Sequence, residues 1–186
     1  MKLMALLASA GVLLATSAFA ATVLPLAGFS GIKASDGARV IIRHGAGQQV
    51  TLTEGSTEFS RLEVRDGKLD IVGCTYRCPH NYRLEVEIVT PGIAAIDAED
   101  GASITAQGDF PAQAEFAALA RDGGRVVARN ISASRVNAGA EDGGMVLVRA
   151  TGALNAVAND GGSIEYWGSP ALNSHISDGG NVKQGN

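Results

Sequence analysis

Aromatic side chains are scarce: one Trp, three Tyr and five Phe make up 5% of the 186 residues. A core of stacked rings is excluded, so any interior must be filled by aliphatic side chains and alanine. There are only two cysteines, too few for a disulfide framework. The three histidines, His44, His80 and His175, are far apart in sequence. No Ser-His-Asp motif, phosphate loop or run of metal ligands appears, and a lone histidine is more often structural than catalytic. Basic residues are outnumbered, 15 to 19, for a net charge of −4. That disfavours nucleic acid and anionic lipid, which want a broadly basic face. Beyond the first twenty residues no apolar run is long enough to cross a membrane.

Those first twenty residues, MKLMALLASAGVLLATSAFA, read as a signal peptide. Lys2 supplies the positive start, Leu3 to Ala15 a short apolar run, and Ala18-Phe19-Ala20 a small-x-small cleavage site. The other reading is an uncleaved anchor. Cleavage leaves residues 21–186 as a single domain with a sizeable core. It also removes Lys2, taking the net charge from −4 to −5. The destination is the periplasm, the cell envelope or the medium.

In an exported chain two close cysteines usually pair, and Cys74 and Cys78 stand in GCTYRCPH. A loop of about five residues gains only about 2 kcal/mol from its bridge, which would pin a protruding loop. The alternative recruits His80 as a third ligand in an incomplete zinc set.

Against these scarcities stands one recurrent signal. Asp-Gly occurs at Asp36, Asp66, Asp100, Asp122, Asp142, Asp160 and Asp178, the last five 22, 20, 18 and 18 residues apart. A period near 20 ending on a fixed turn is the mark of a coiled β architecture. Four residues after the last five aspartates stand Ile104, Val126, Val146, Ile164 and Val182, all β-branched. Two before stand Ala98, Ala120, Ala140, Ala158 and Ile176, and six before the last four stand Phe116, Val136, Leu154 and Leu172. Apolar residues thus alternate with period two on both sides of the turn, which is the strand pattern. Stacked about 4.8 Å apart, these columns make continuous interior ladders. Outside, Asn137, Asn155 and Asn173 would bond from rung to rung. Arg121 would stack between Glu99 and Glu141.

The expected fold is all-β: a right-handed parallel β-helix or solenoid with rungs of about 18–22 residues. Its amino-terminal part is more irregular, with strand patterns near Val50–Leu52, Leu62–Val64, Leu69–Ile71 and Tyr82–Val89 and a hairpin turn at Asp66-Gly67. Residues 110–121, FPAQAEFAALAR, also have good helix propensity. The repeat register favours a strand there, because neighbouring rungs must continue the ladder.

The stretch TPGIAAIDAEDGAS, the repeated Asp-Gly-Gly units and the closing DGGSIEYWGSP together resemble the head GIN domain, the auto-transporter adhesin head domain family. Thr90, Pro91, Ile93 and Ile96 match its opening motif, and Ile164, Tyr166, Gly168 and Pro170 match its closing one. The resemblance runs from about Phe29 to Asn186. Aspartate stands where the family usually has serine before the turn glycine. The resemblance implies an exported β-helix-like domain and carries no catalytic residue across.

Two clusters are candidate binding sites. If Asp100, Asp122, Asp142, Asp160 and Asp178 stack, neighbouring carboxylates repel by about 0.9 kcal/mol in bulk water. They serve either as turn formers that accept N–H bonds in their own turns, or as a row of oxygen ligands for Ca²⁺. Arg129 and Arg149, each seven residues after an Asp, form a basic spot beside Trp167. Trp167 is either a ligand platform or a cover for the coil's end, and Tyr166 an inward plug. The leading reading is an exported, non-catalytic binding or structural module of the cell envelope, adhesin-like by resemblance, with an envelope glycan or protein as partner and no obligatory cofactor. The runner-up is a polysaccharide-acting or Ca²⁺-dependent glycan-binding protein.

Overall fold

Asp-Gly can hold both residues at positive φ at little cost: glycine has no Cβ, and the short aspartate side chain tolerates the left-handed region. In the computed structural model, which describes residues 21–186, all seven pairs do so. The aspartates lie at φ 46–53° and their glycines at 70–77°. Paired positive φ values define a type I′ turn. At six of the seven, the residue after the glycine donates its N–H to the residue before the aspartate, as Gly144 does to Glu141 at 2.8 Å. The signal peptide expected at residues 1–20 lies outside the described residues.

Fifteen strands and, among the described residues, no helix connect these turns. The irregular amino-terminal part holds β1 (Thr22–Leu24), β2 (Gly31–Ser35), β3 (Arg39–His44), β4 (Gln49–Glu54), β5 (Arg61–Arg65), β6 (Lys68–Val72) and β7 (Glu85–Thr90). The regular part holds β8 (Ala95–Ala98), β9 (Ser103–Gln107), β10 (Gln113–Ala120), β11 (Arg125–Ala140), β12 (Met145–Ala158), β13 (Ser163–Trp167), β14 (Ala171–Ile176) and β15 (Asn181–Gln184). All belong to one curled sheet.

Two strands joined by a turn in the regular part do not pair with each other. Each pairs in parallel with its counterpart in the neighbouring unit, β8 with β10 and β9 with β11. Strands β11 and β12 belong to both sides. Their first halves pair with post-turn strands and their second halves with pre-turn strands, which curls the sheet around its own apolar face.

The expected columns form. Val40, Ile104, Val126, Val146, Ile164 and Val182 are successive register partners. All but half-buried Val182 are at most 1% exposed. Ala34, Ala98, Ala120, Ala140 and Ala158 form a second column at 0% exposure. Side chains beside the turn are thus alanines, whereas Phe116, Val136 and Leu154 fill the wider interior six residues back. The segment with helix propensity is strand β10, held between β8 and β11 with Phe116 opposite Val136. The ladder on both sides decides it, since tertiary pairing outweighs a weak propensity.

One part of the expectation is corrected: the sheet is not all parallel. Strands β6 and β7 lie parallel to β2 and β3 as a further unit. Beyond them β5 pairs antiparallel with β6, β4 with β7, and β1 with β4. The physical reason lies in the long insert between Asp36 and Asp100. Asp66-Gly67 closes a true two-residue hairpin there, with Arg65 opposite Lys68. The returning strands cover edges that a parallel stack would leave open.

A Cβ added to Gly144 would sit 2.2 Å from the Ala120 carbonyl oxygen, and at Gly162 2.1 Å from that of Ala140. Gly144→Ala is expected to cost about 2 kcal/mol or more in urea unfolding, because backbone must move. Asp142 holds φ 47°. Asp142→Asn should change stability by less than about 0.5 kcal/mol. Asp142→Val should cost about 1–2 kcal/mol, because a β-branched residue resists the left-handed region.

Candidate functional site

Backbone amides join the aspartate column. The N–H of Gly37 donates to the Asp100 carbonyl, Gly101 to Asp122, Gly123 to Asp142, Gly143 to Asp160 and Gly161 to Asp178, each at 3.0 Å. Six turns are thus stacked, with Asp66 apart in its hairpin. The expected bonds from turn N–H groups to the aspartate carboxylates do not form. Among the described residues only the Asp36 carboxylate in this stack takes a hydrogen bond, from the Ser35 hydroxyl at 3.1 Å. Aspartate is used here for its backbone conformation. Among the described residues no three His, Cys, Asp or Glu side chains gather in a group that could hold a metal ion.

Arg129, Arg149 and Trp167 do come together. Arg149 is the register partner of Trp167 on adjacent strands. Arg129 opens an irregularity of β11, where pairing with β12 skips from Ala128 to Ser132. Such a bulge re-aims side chains. The Arg129 guanidinium lies over the Trp167 ring, 5.7 Å from its centroid. Arg149 Nε donates to the Arg129 carbonyl at 3.1 Å. Trp167 is half-buried: its indole N–H donates to the Asn186 carbonyl at 3.2 Å, and its ring edge crowds Gly185. Trp167 thus packs on Gly185 with Arg129 over its ring. Tyr166 packs half-buried against the core, as an inward plug would.

Glycine is required at Gly168 in the closing motif, where a Cβ would meet the Ala150 oxygen at 2.0 Å. In the opening motif the buried Thr90 hydroxyl donates to Gly92 O at 2.8 Å, and Ile93 and Ile96 enter the core.

The cysteine loop is pinned as expected. Cys74 and Cys78 are bonded, which removes both thiolates from the alternative metal site with His80. Residues 73–84 occupy the place where an Asp-Gly turn would join β6 to β7. Gly73 N–H donates to Ser35 O at 3.0 Å and Arg39 N–H to Leu84 O at 2.9 Å. Tyr76, 68% exposed, stacks with Arg77.

The outer face of the pre-turn strands holds a group that the sequence reading found only in part: the expected Arg121–Glu99 contact forms, while Asp97 and Lys33 were not foreseen. Arg121 bonds Asp97 and Glu99, both at 3.3 Å, and Lys33 bonds Glu99 at 2.5 Å. The expected partner Glu141 is not used; Asp97 is, because it lies one strand away on the same face. Asp97, Leu119, Gly139, Val157, Asn137 and Asn155 line a trough of about 480 Å³. The asparagine ladder forms, Asn155 to Asn137 at 3.0 Å and Asn173 to Asn155 at 3.4 Å. Asp97 Oδ1 and Arg121 Nε are buried without hydrogen-bond partners. Burial pushes the Asp97 carboxyl above its ordinary 3.8; Arg121 opposes this, Glu99 adds to it, and Lys33 and Lys68 oppose it.

The folded state therefore holds the Asp97 proton to higher pH than the unfolded chain does. The associated stability is full below pH 3.8 and is lost as pH rises through the folded value. Asp97→Asn removes this penalty while leaving Arg121 its bond to Glu99. Its melting temperature should exceed that of the wild type near pH 7, with the gap closing below pH 3.8. Melts across pH 3 to 7 check this, and a gap that widens toward acid would contradict it.

Residues 28–116 match the family described as "Putative auto-transporter adhesin, head GIN domain". The matched stretch contains Thr90, Pro91, Ile93 and Ile96 and stops before the closing motif, so it is shorter than the resemblance expected from the sequence. No curated protein matches the chain. Among solved structures, a "putative adhesin" from Bacteroides fragilis aligns over 89% of this chain and 95% of its own, with a TM-score of 0.57 and 15% identity. A "putative adhesin" from Parabacteroides merdae aligns over 90% and 96%, with a TM-score of 0.43 and 14% identity. At such identities the Bacteroides likeness speaks for the fold alone, and the second carries no weight. Over residues 28–116 the chain is thus similar to the head GIN domain family.

Proposed function

We propose that this chain is an exported, non-catalytic binding module of the cell envelope, adhesin-like in its role. In this reading residues 1–20 are a cleaved signal peptide. Residues 21–186 are a single domain whose regular part is a right-handed solenoid of stacked rungs. The observation that carries the proposal is the gathering of Arg129, Arg149 and Trp167 on the outer face of the carboxyl-terminal rungs. The family match over residues 28–116 adds its weight. A stiff stack that presents side chains on its outside suits a contact surface. A polysaccharide-cleaving reading wants two carboxylates facing a groove. The acid on Trp167's own strand, Glu165, is instead engaged by Lys183 at 3.5 Å.

The test has two arms. Protein recovered from an expressing bacterium should be found outside the cytoplasm, with a mass showing cleavage after Ala20. It should bind intact envelopes saturably, and the Arg129→Ala/Arg149→Ala double variant should lose most of that binding while melting at the wild-type temperature. An uncleaved cytoplasmic product, or envelope binding that survives the double variant, would count against the proposal.

A further inference from the structure

We infer that Arg129 and Arg149 form a pre-set anion clamp, and that its ligand is a linear polysaccharide bearing acidic groups. The inference rests on the binding-module reading and adds the class of ligand. Ten ion pairs occur among the described residues, and neither arginine is in any of them. Lys68, Arg77, Arg83 and Arg125 are also in no ion pair, but Arg129 and Arg149 are the two of these that are joined to each other by a hydrogen bond. On the same outer face Arg39 is matched by Glu85, Arg43 by Glu87 and Lys183 by Glu165. The charge left unmatched is local, on a chain whose net charge is −4.

Both guanidinium groups are exposed yet held. Arg129 is stacked on Trp167 at 5.7 Å, and Arg149 is tied by Nε to the Arg129 carbonyl at 3.1 Å. Stacking uses the face of a guanidinium and leaves its edge donors free. The bond from Arg149 Nε leaves its terminal nitrogens free. Two neighbouring cations on adjacent strands repel each other until an anion lies between them. A carboxylate or sulfate accepts two parallel bonds from such a fork. The Trp167 ring is already occupied by Gly185 and Arg129 and offers no open stacking platform. Recognition therefore falls on charge and hydrogen bonds. In the same bulge Asn130 Nδ2 donates to the Ala106 carbonyl at 3.5 Å, beside Gln107 and its register partner Arg43, so polar side chains continue across the neighbouring strands, which favours an extended chain over a small ion. Single-stranded nucleic acid is disfavoured, because it needs aromatic faces for its bases.

The test measures binding of the purified protein to polygalacturonate, dextran sulfate, neutral dextran and single-stranded DNA at about 0.15 M salt. Expected is binding to one or both acidic polysaccharides, none to neutral dextran, and weaker binding as salt rises. Arg129→Gln and Arg149→Gln should each weaken it about tenfold. Arg129→Lys should weaken it less, since the charge stays and the fork is lost. Arg39→Gln, a matched arginine on the same face, should leave it unchanged, and circular dichroism should be native throughout. Equal binding by the wild type and both glutamine variants, or preference for DNA, would overturn the inference. Binding to neutral envelope glycans without the acidic ones would overturn it too while sparing the binding-module reading. Failure to bind any envelope material would remove both.

Discussion

Everything regular in this protein depends on one contact: the amide of a turn glycine donating to the carbonyl of the aspartate in the next turn, five times in succession at 3.0 Å. Each bond fixes the level of one unit against its neighbour, and the strands on either side inherit that level. Once Gly123 is set against Asp142, Val126 must meet Val146, and Ala120 must meet Ala140. A one-residue slip would turn every apolar column outward. A turn with both central residues at positive φ is what aims these amides along the stack. A residue that resists the left-handed region would loosen a level, not merely a loop.

Much of this arrangement was legible in the sequence, because a repeat writes each rule several times. The Val/Ile column, the alanine column, the asparagine ladder and the meeting of Arg129, Arg149 and Trp167 all follow from counting outward from the aspartate. The antiparallel end strands were less legible, and the reason is physical. Asp66 and Asp142 have nearly the same φ, 50° and 47°, yet one closes a hairpin and the other joins strands that pair only with neighbouring units. The difference lies two residues beyond the aspartate. Lys68 faces a paired strand, whereas Gly144 lies against a backbone carbonyl where a Cβ does not fit. The Asp97–Arg121 contact was hidden for another reason. It joins different columns across two strands and needs the lateral packing of side chains. The substitution of the cysteine loop for a turn was hidden because the insert before it broke the count.

The division of labour between inside and outside explains why function is hard to read in such a chain. Inward columns are bound by packing and repeat the same few small and aliphatic residues. Outward columns bear only on neighbours above and below, and each solves its own problem. Acids and bases neutralise each other beside Asp97, asparagines bond in line, and Arg39 and Arg43 take their glutamates. An outward pair of like charges left without an acid and tied to each other is informative in this setting, because adjacent strands can offer a partner. Arg129 and Arg149 are such a pair.

The two ends of the stack differ, and that difference bears on where contact is made. The amino-terminal end is closed by returning antiparallel strands and by a disulfide-pinned loop in place of a turn. At the carboxyl-terminal strands Leu172 and Ile176, which continue buried columns, are 44% and 49% exposed. On the post-turn side Trp167 packs against Gly185. That same ring supports Arg129, so packing on Gly185 and holding the arginine are a single event. A stack ordered from its closed end would then present its anion-facing residues on its carboxyl-terminal rungs. The Trp167–Gly185 contact is the point at which stability and binding are coupled.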